Sequence, residues 1–115
     1  MKTRLRAWLI ALLESKRQAA KDDPELFATY RVLAYENSAV AAEHVAHLLR
    51  QLEAIVTAGL ASGDFATPDA AATARAVFEA TAAFHHPAHA ADWTQPDRDK
   101  LLADVGTLIV NGLRP

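Results

Sequence analysis

Five histidines and no cysteine among 115 residues concentrate the reactive side chains of this chain in imidazole. Asn37, Val40, His44, His47 and Gln51 recur every three or four residues, which gathers them on one face of a helix. His85 and His86 close a second stretch, just before Pro87, and His89 follows. If the two stretches pack antiparallel or crosswise, His44 and His86 meet across a cavity. Neutral imidazole suits Zn, Ni, Cu or Fe, and the Asn37 side-chain oxygen could complete such a site. His44, His86 and Asn37 are therefore the candidate metal ligands, with a divalent transition metal as a candidate cofactor. The competing reading is a set of histidines hydrogen-bonded inside a core or left on the surface. His-x-x-His arises readily by chance on a helix, and no His-Glu-x-x-His is present. Glu43 directly precedes His44, so the Glu-x-x-His spacing of di-iron bundles is missing as well. His47 and His89 read as surface residues.

A polar stripe on a half-apolar helix must find hydrogen-bond partners, water or a ligand. Phe27, Tyr30, Tyr35, Phe78 and Phe84 could line a pocket for an apolar or aromatic small molecule. Phe27 and Phe78 serve equally well as ordinary core, whereas the Tyr30 hydroxyl needs a partner and points to the pocket. Tyr30, Asn37, His44, Phe78 and His86 form the candidate ligand-binding set. Catalysis finds little support. Ser15, Ser38 and Ser62 lack a nucleophile-elbow or Ser-x-x-Lys context, and no glycine-rich phosphate loop exists. Asp22-Asp23 reads as a helix start, and no catalytic residue is assigned.

The elements that must hold these groups are helices. Leu5, Trp8, Leu9, Leu12 and Leu13 give an apolar stripe over residues 4–20, with Lys16, Arg17 and Lys21 complementing its carbonyl end. Asp23-Pro24-Glu25 restarts the chain as cap, first-turn proline and first-turn acid. Ser38 predicts a break and a new cap, followed by a helix over about 39–61 that Gly59 and Gly63 close, with Phe65 turned inward. Thr67-Pro68-Asp69 launches an alanine-rich helix over 68–86, which Pro87 ends. Residues 87–95 read as a loop, and Pro96-Asp97 starts a last helix carrying Leu101, Leu102, Val105, Leu108, Ile109 and Leu113. The expectation is an all-α, five-helix bundle forming one domain over residues 1–115. A hairpin of helices 68–86 and 96–113 would leave an apolar face for a twin subunit.

With 12 basic against 14 acidic residues, the net charge is −2, so the bulk field does not favour phosphate-rich partners. The lack of cysteine excludes disulfides and thiolate metal sites. No apolar run is long enough for a membrane span. The opening MKTRLRAWLIALLESKRQ has basic residues before an apolar core, but Ala7–Leu13 is short and leads into Glu14-Ser15-Lys16-Arg17 instead of a cleavage site. The expected location is the cytoplasm, with no membrane partner.

Over nearly its whole length, and most closely from Asp23 to Pro87, the chain resembles the C-terminal, ligand-sensing half of a TetR/AcrR-type transcriptional repressor. The resemblance rests on DPELF, Asn37 followed by His44, IVTAGLASGDF, TPDAAATA and FHHP, in that order and spacing. It implies a regulatory domain that is not an enzyme and whose last two long helices pair with those of a second subunit in a four-helix bundle. It also implies an inducer cavity between the middle helices, with Asn37, His44 and His86 facing inward. Residues 1–22 supply one helix and nothing like a helix-turn-helix, so contact with DNA is expected only through an N-terminal module that this chain lacks. The expected function is effector sensing and homodimerisation within a transcriptional regulator. The alternatives are metal sensing through His44 and His86, and a purely structural helical dimerisation module.

Overall fold

Asp23, Ser38 and Asp69 each present a side-chain oxygen to a free backbone N–H three residues on, and these caps divide the chain. They accept from the N–H groups of Leu26, Ala41 and Ala72 at 3.0, 3.1 and 3.0 Å. The computed structural model describes residues 1–36 and 38–115; Asn37 lies outside the described residues. The α-helices are α1 (Lys2–Asp22), α2 (Pro24–Tyr35), α3 (Ala39–Ser62), α4 (Ala70–Ala80) and α5 (Arg98–Gly112). Two 3₁₀ helices, Ala82–Phe84 and Pro87–Asp92, bridge α4 to α5. There is no strand among the described residues, so the all-α expectation holds, and α1, α2, α3 and α5 lie close to where the periodicity put them.

The layout follows from which faces are apolar. Leu5, Leu9, Leu12 and Leu13 of α1 form the spine of the core, and Leu48, Leu52 and Ile55 of α3 close on it. From the other side come Val77 and Phe78 of α4 and Leu102 and Val110 of α5. α4 lies along α3, α5 lies along α1, and α2 bridges α1 and α3. The molecule measures 44 × 33 × 18 Å, a slab about two helices thick. α4 and α5 therefore do not pack on one another as the expected hairpin, because each has its own partner helix. Among the described residues no helix is long and apolar enough to cross a membrane.

Four local expectations are corrected. The alanine-rich helix is capped by Asp69, not Thr67, whose Oγ1 sits 2.6 Å from Thr73 Oγ1. The helix also ends at Ala80, well before Pro87: the Phe84 N–H turns to the carbonyl of Thr81 in a 3₁₀ turn, and the fully buried Thr81 bonds its hydroxyl back to the carbonyls of Val77 and Phe78. Gly63 closes α3 in the left-handed conformation, at φ 81°, but Gly59 lies inside the helix. Its role is clearance, since a Cβ there would stand 2.0 Å from Cδ2 of the buried Phe65. The expected loop over 87–95 contains the second 3₁₀ helix and delivers Trp93 to the core at 1% exposure. The Trp93 indole N–H donates to Ala83 O at 3.1 Å, its carbonyl accepts from Arg17 Nε at 2.8 Å, and Phe27 meets its ring edge-on at 5.8 Å.

Candidate functional site

The apolar stripe of α1 advances Leu5, Leu9, Leu12 and then, one helical turn later, Lys16. The helix period thus carries an ammonium into the interior. Lys16 is 8% exposed, and α1 continues past it to Asp22, so it does not serve as a helix-end cation. Its Nζ lies 2.6 Å from His44 Nε2 and 4.8 Å from the centroid of the Tyr30 ring. Tyr30 in turn meets the His44 ring edge-on at 5.6 Å. Among the described residues Lys16 makes no salt bridge. Burial pushes its pKa down from 10.5 to about 8, which still leaves it charged at neutral pH. His44 is lowered from its ordinary value by burial first, then by Lys16 and His47. A charged Lys16 therefore donates to the Nε2 lone pair of a neutral His44, which fixes the proton of that ring on Nδ1.

This trio is shared between two hollows. One, of about 520 Å³, lies between α2, α3, α4 and the chain leading to Pro87. Lys16, Tyr30, His44, Phe78, His85 and His86 contribute to its wall, with Val45, Leu49 and Ala82 among its apolar lining and Arg75 and Glu79 also bordering it. The other, of about 500 Å³, is a more apolar groove between α1, α2 and α3, lined by Leu12, Leu26, Phe27, Leu33 and Val40. Lys16, Tyr30, His44 and Leu48 face both. Each volume falls in the range of small-molecule sites.

Four of the five residues selected from sequence border the first cavity: Tyr30, His44, Phe78 and His86. The fifth, Asn37, lies outside the described residues. His86 contributes from the exposed rim, and its Nδ1 accepts from Ala88 N at 3.1 Å, capping the second 3₁₀ helix. His85 is the buried member of the pair, at 4% exposure. Its Nε2–H donates to Phe78 O at 3.0 Å, its ring lies tilted by 37° against that of Phe78 at 4.3 Å, and burial pushes its pKa to about 4. Two aromatics offered as pocket residues are elsewhere: Tyr35 is 86% exposed, and Phe84 is core, with Arg98 over its ring. Phe27 packs on Trp93 and borders only the groove. His47 and His89 are exposed, as expected.

For metal binding the relevant atom is His44 Nε2, and it faces a lysine ammonium at hydrogen-bond distance. A second cation there would lose that bond and meet a like charge. Among the described residues no group of three or more His, Asp or Glu side chains is arranged to hold a metal ion.

An all-helical chain of this order, with a small-molecule-sized cavity ringed by polar groups from several helices, can be compared with known proteins. Residues 2–106 match the family described as tetracyclin repressor-like, C-terminal domain. The chain belongs to that family. No curated protein and no solved structure matches it. Membership makes this a TetR-type C-terminal regulatory domain, the same family that the motifs between Asp23 and Pro87 suggest, and the match extends over α1 and most of α5.

Sequence reasoning missed Lys16 and His85. Lys16 was visible as the next member of the Leu5-Leu9-Leu12 series, at a position where a soluble helix would place another aliphatic residue. His85 carried no comparable signal, because either of two adjacent histidines can turn inward.

Proposed function

We propose that this chain senses a small-molecule effector and self-associates as the regulatory half of a transcriptional regulator. The observation that carries this reading is the cavity of about 520 Å³, on which Tyr30, His44, Phe78 and His86 converge from α2, α3, α4 and the turn before Pro87. A ligand held there touches every helix that would have to move. An effector that fits one arrangement of α2, α3 and α4 better than another shifts the population toward it. The self-association surface includes α5, which exposes Leu101 and Leu108 on one flank at 39% and 73%. A slab only 18 Å thick gains apolar burial by pairing with a second copy. Contact with DNA belongs to the regulator as a whole.

The test has two arms. A panel of apolar and aromatic small molecules is screened for an increase in Tm on the purified chain, with Phe78→Ala as the cavity control. At least one compound should stabilise the chain and lose its effect in the control. A panel with no hit would favour a purely structural helical module, and stoichiometric metal lost on replacing His44 would favour a metal sensor. In the second arm, light scattering at micromolar concentration should report a dimer that Leu108→Glu dissociates, whereas a strict monomer would remove self-association from the reading.

A further inference from the structure

A cation buried without an anion is the least comfortable group in this molecule. Lys16 is 8% exposed, its Nζ has a neutral imidazole and a phenol ring as neighbours, and among the described residues no carboxylate lies within salt-bridge distance. Burying an ammonium costs stability unless a counter-charge is supplied. A core position at the end of a leucine series would be better filled by Leu or Met. The neighbouring cation of the same cavity, Arg75, is already paired with Glu79 at 3.1 Å on the exposed rim. Among the described residues of the wall that leaves one unneutralised charge, on the inner side, beside Tyr30 and His44.

We propose that Lys16 is the anion-recognising group of this cavity and that the effector is a hydrophobic monocarboxylate. The proposal rests on the effector-sensing reading above and narrows it to a ligand class. The charge balance asks for a single negative charge, which excludes polyphosphorylated ligands from so small and largely apolar a space. The acid head sits against Nζ, with the Tyr30 phenol beside it, and the apolar body lies along Val45, Leu49, Phe78 and Ala82. The ammonium then exchanges a neutral acceptor for an anionic one, which gives the stronger hydrogen bond of the two. The freed His44 ring and α3 respond, which links head-group binding to helix position. Lys16 lies on α1 and His44 on α3, so the ligand acts on the contact that joins these two helices.

The experiment pairs acids with their neutral counterparts on the full chain at neutral pH: decanoate against decanol, and naphthoate against naphthylmethanol, read by Tm and by calorimetric titration. The acid of at least one pair should bind about tenfold or more tightly than its alcohol. Lys16→Met should keep or raise the Tm of the ligand-free chain while abolishing the preference for the acid, and Lys16→Gln should do the same while keeping a donor to His44. The acid–alcohol contrast on the unaltered chain needs neither variant to fold. If alcohols bind as well as acids, or the preference survives in Lys16→Met, the anion role is overturned while effector sensing stands. If neither acids nor alcohols of either pair bind, the anion role falls, and the broader screen above decides effector sensing by itself.

Discussion

Lys16 Nζ stands 2.6 Å from His44 Nε2, so the last third of α1 and the second turn of α3 are joined by a cation and a lone pair, not by an ion pair. The partners depend on one another unequally. Without His44 the ammonium keeps only the face of Tyr30, at 4.8 Å. Without Lys16 the imidazole loses a donor but carries no uncompensated charge. His44→Leu should therefore destabilise the chain by about 1–3 kcal/mol, the cost of stranding a buried polar group. Lys16→Met should stabilise it by about 1–2 kcal/mol, the relieved burial of charge less the lost hydrogen bond. In the Lys16→Met background His44→Leu should cost less than half of what it costs alone. Urea denaturation of the four proteins of the cycle measures this coupling. Equal costs in both backgrounds would mean that the contact carries no energy.

Gly59 and Phe65 give a prediction that opposes helix propensity. Alanine in the interior of a helix gains up to about 1 kcal/mol over glycine. At Gly59, however, the added Cβ meets the Phe65 ring at 2.0 Å, and Phe65 is 3% exposed in the core. The ring must be displaced, and overpacking of this kind costs about 1–3 kcal/mol. Gly59→Ala should lower the urea midpoint, and pairing it with Phe65→Leu should recover part of the loss. A midpoint raised by Gly59→Ala would show that the ring moves aside freely.

What could be read in advance follows the range of the interaction responsible. The starts of α2 and α3 were legible because Asp23-Pro24 and Ser38 act within three residues of themselves. So was the end of α3 at Gly63, which needs only a positive φ. The end of α4 was not. Pro87 is a local signal, but after Ala80 the chain tightens into a 3₁₀ turn, and the Thr81 hydroxyl and the His85 ring bond back to the carbonyls of Val77 and Phe78. In the cavity, Tyr30 and His44 stood out as polar groups on half-apolar faces. Lys16 passed for a solvated lysine because charged residues are seldom buried. Trp93 had no periodic apolar neighbours to mark it as core, and only its contacts with Ala83, Arg17 and Phe27 place it there.

Trp93 should be worth more than its isolated position suggests. Its ring is almost wholly buried, and its N–H has the Ala83 carbonyl as partner. Trp93→Ala should destabilise the chain by about 3–5 kcal/mol, as large aromatic truncations in cores do. Trp93→Phe keeps much of the volume and should lose roughly 1–3 kcal/mol with the indole bond. Thermal unfolding of the two variants gives the ranking, and a Trp93→Ala protein as stable as the parent would put the second 3₁₀ helix outside the cooperative core.

His85 sets the sign of the acid response. Burial pushes its pKa from 6.5 down to about 4, the carbonyl of Phe78 only partly offsets this, and the ring stays neutral in the fold while the unfolded chain takes up a proton. Between those two values the unfolded state binds more protons, so stability rises with pH. The contribution is complete above the unfolded value of 6.5 and is lost as pH falls through about 4. Its full size is on the order of 3 kcal/mol. His44 and His86 are lowered by burial too and tilt the same limb in the same direction. His85→Gln keeps a donor for Phe78 O and removes the titration, so its urea midpoint should fall less steeply than the parent's as the solution is taken from neutral to acid. Acid limbs that run parallel in the two proteins would show that His85 is charged, or solvated, within the fold.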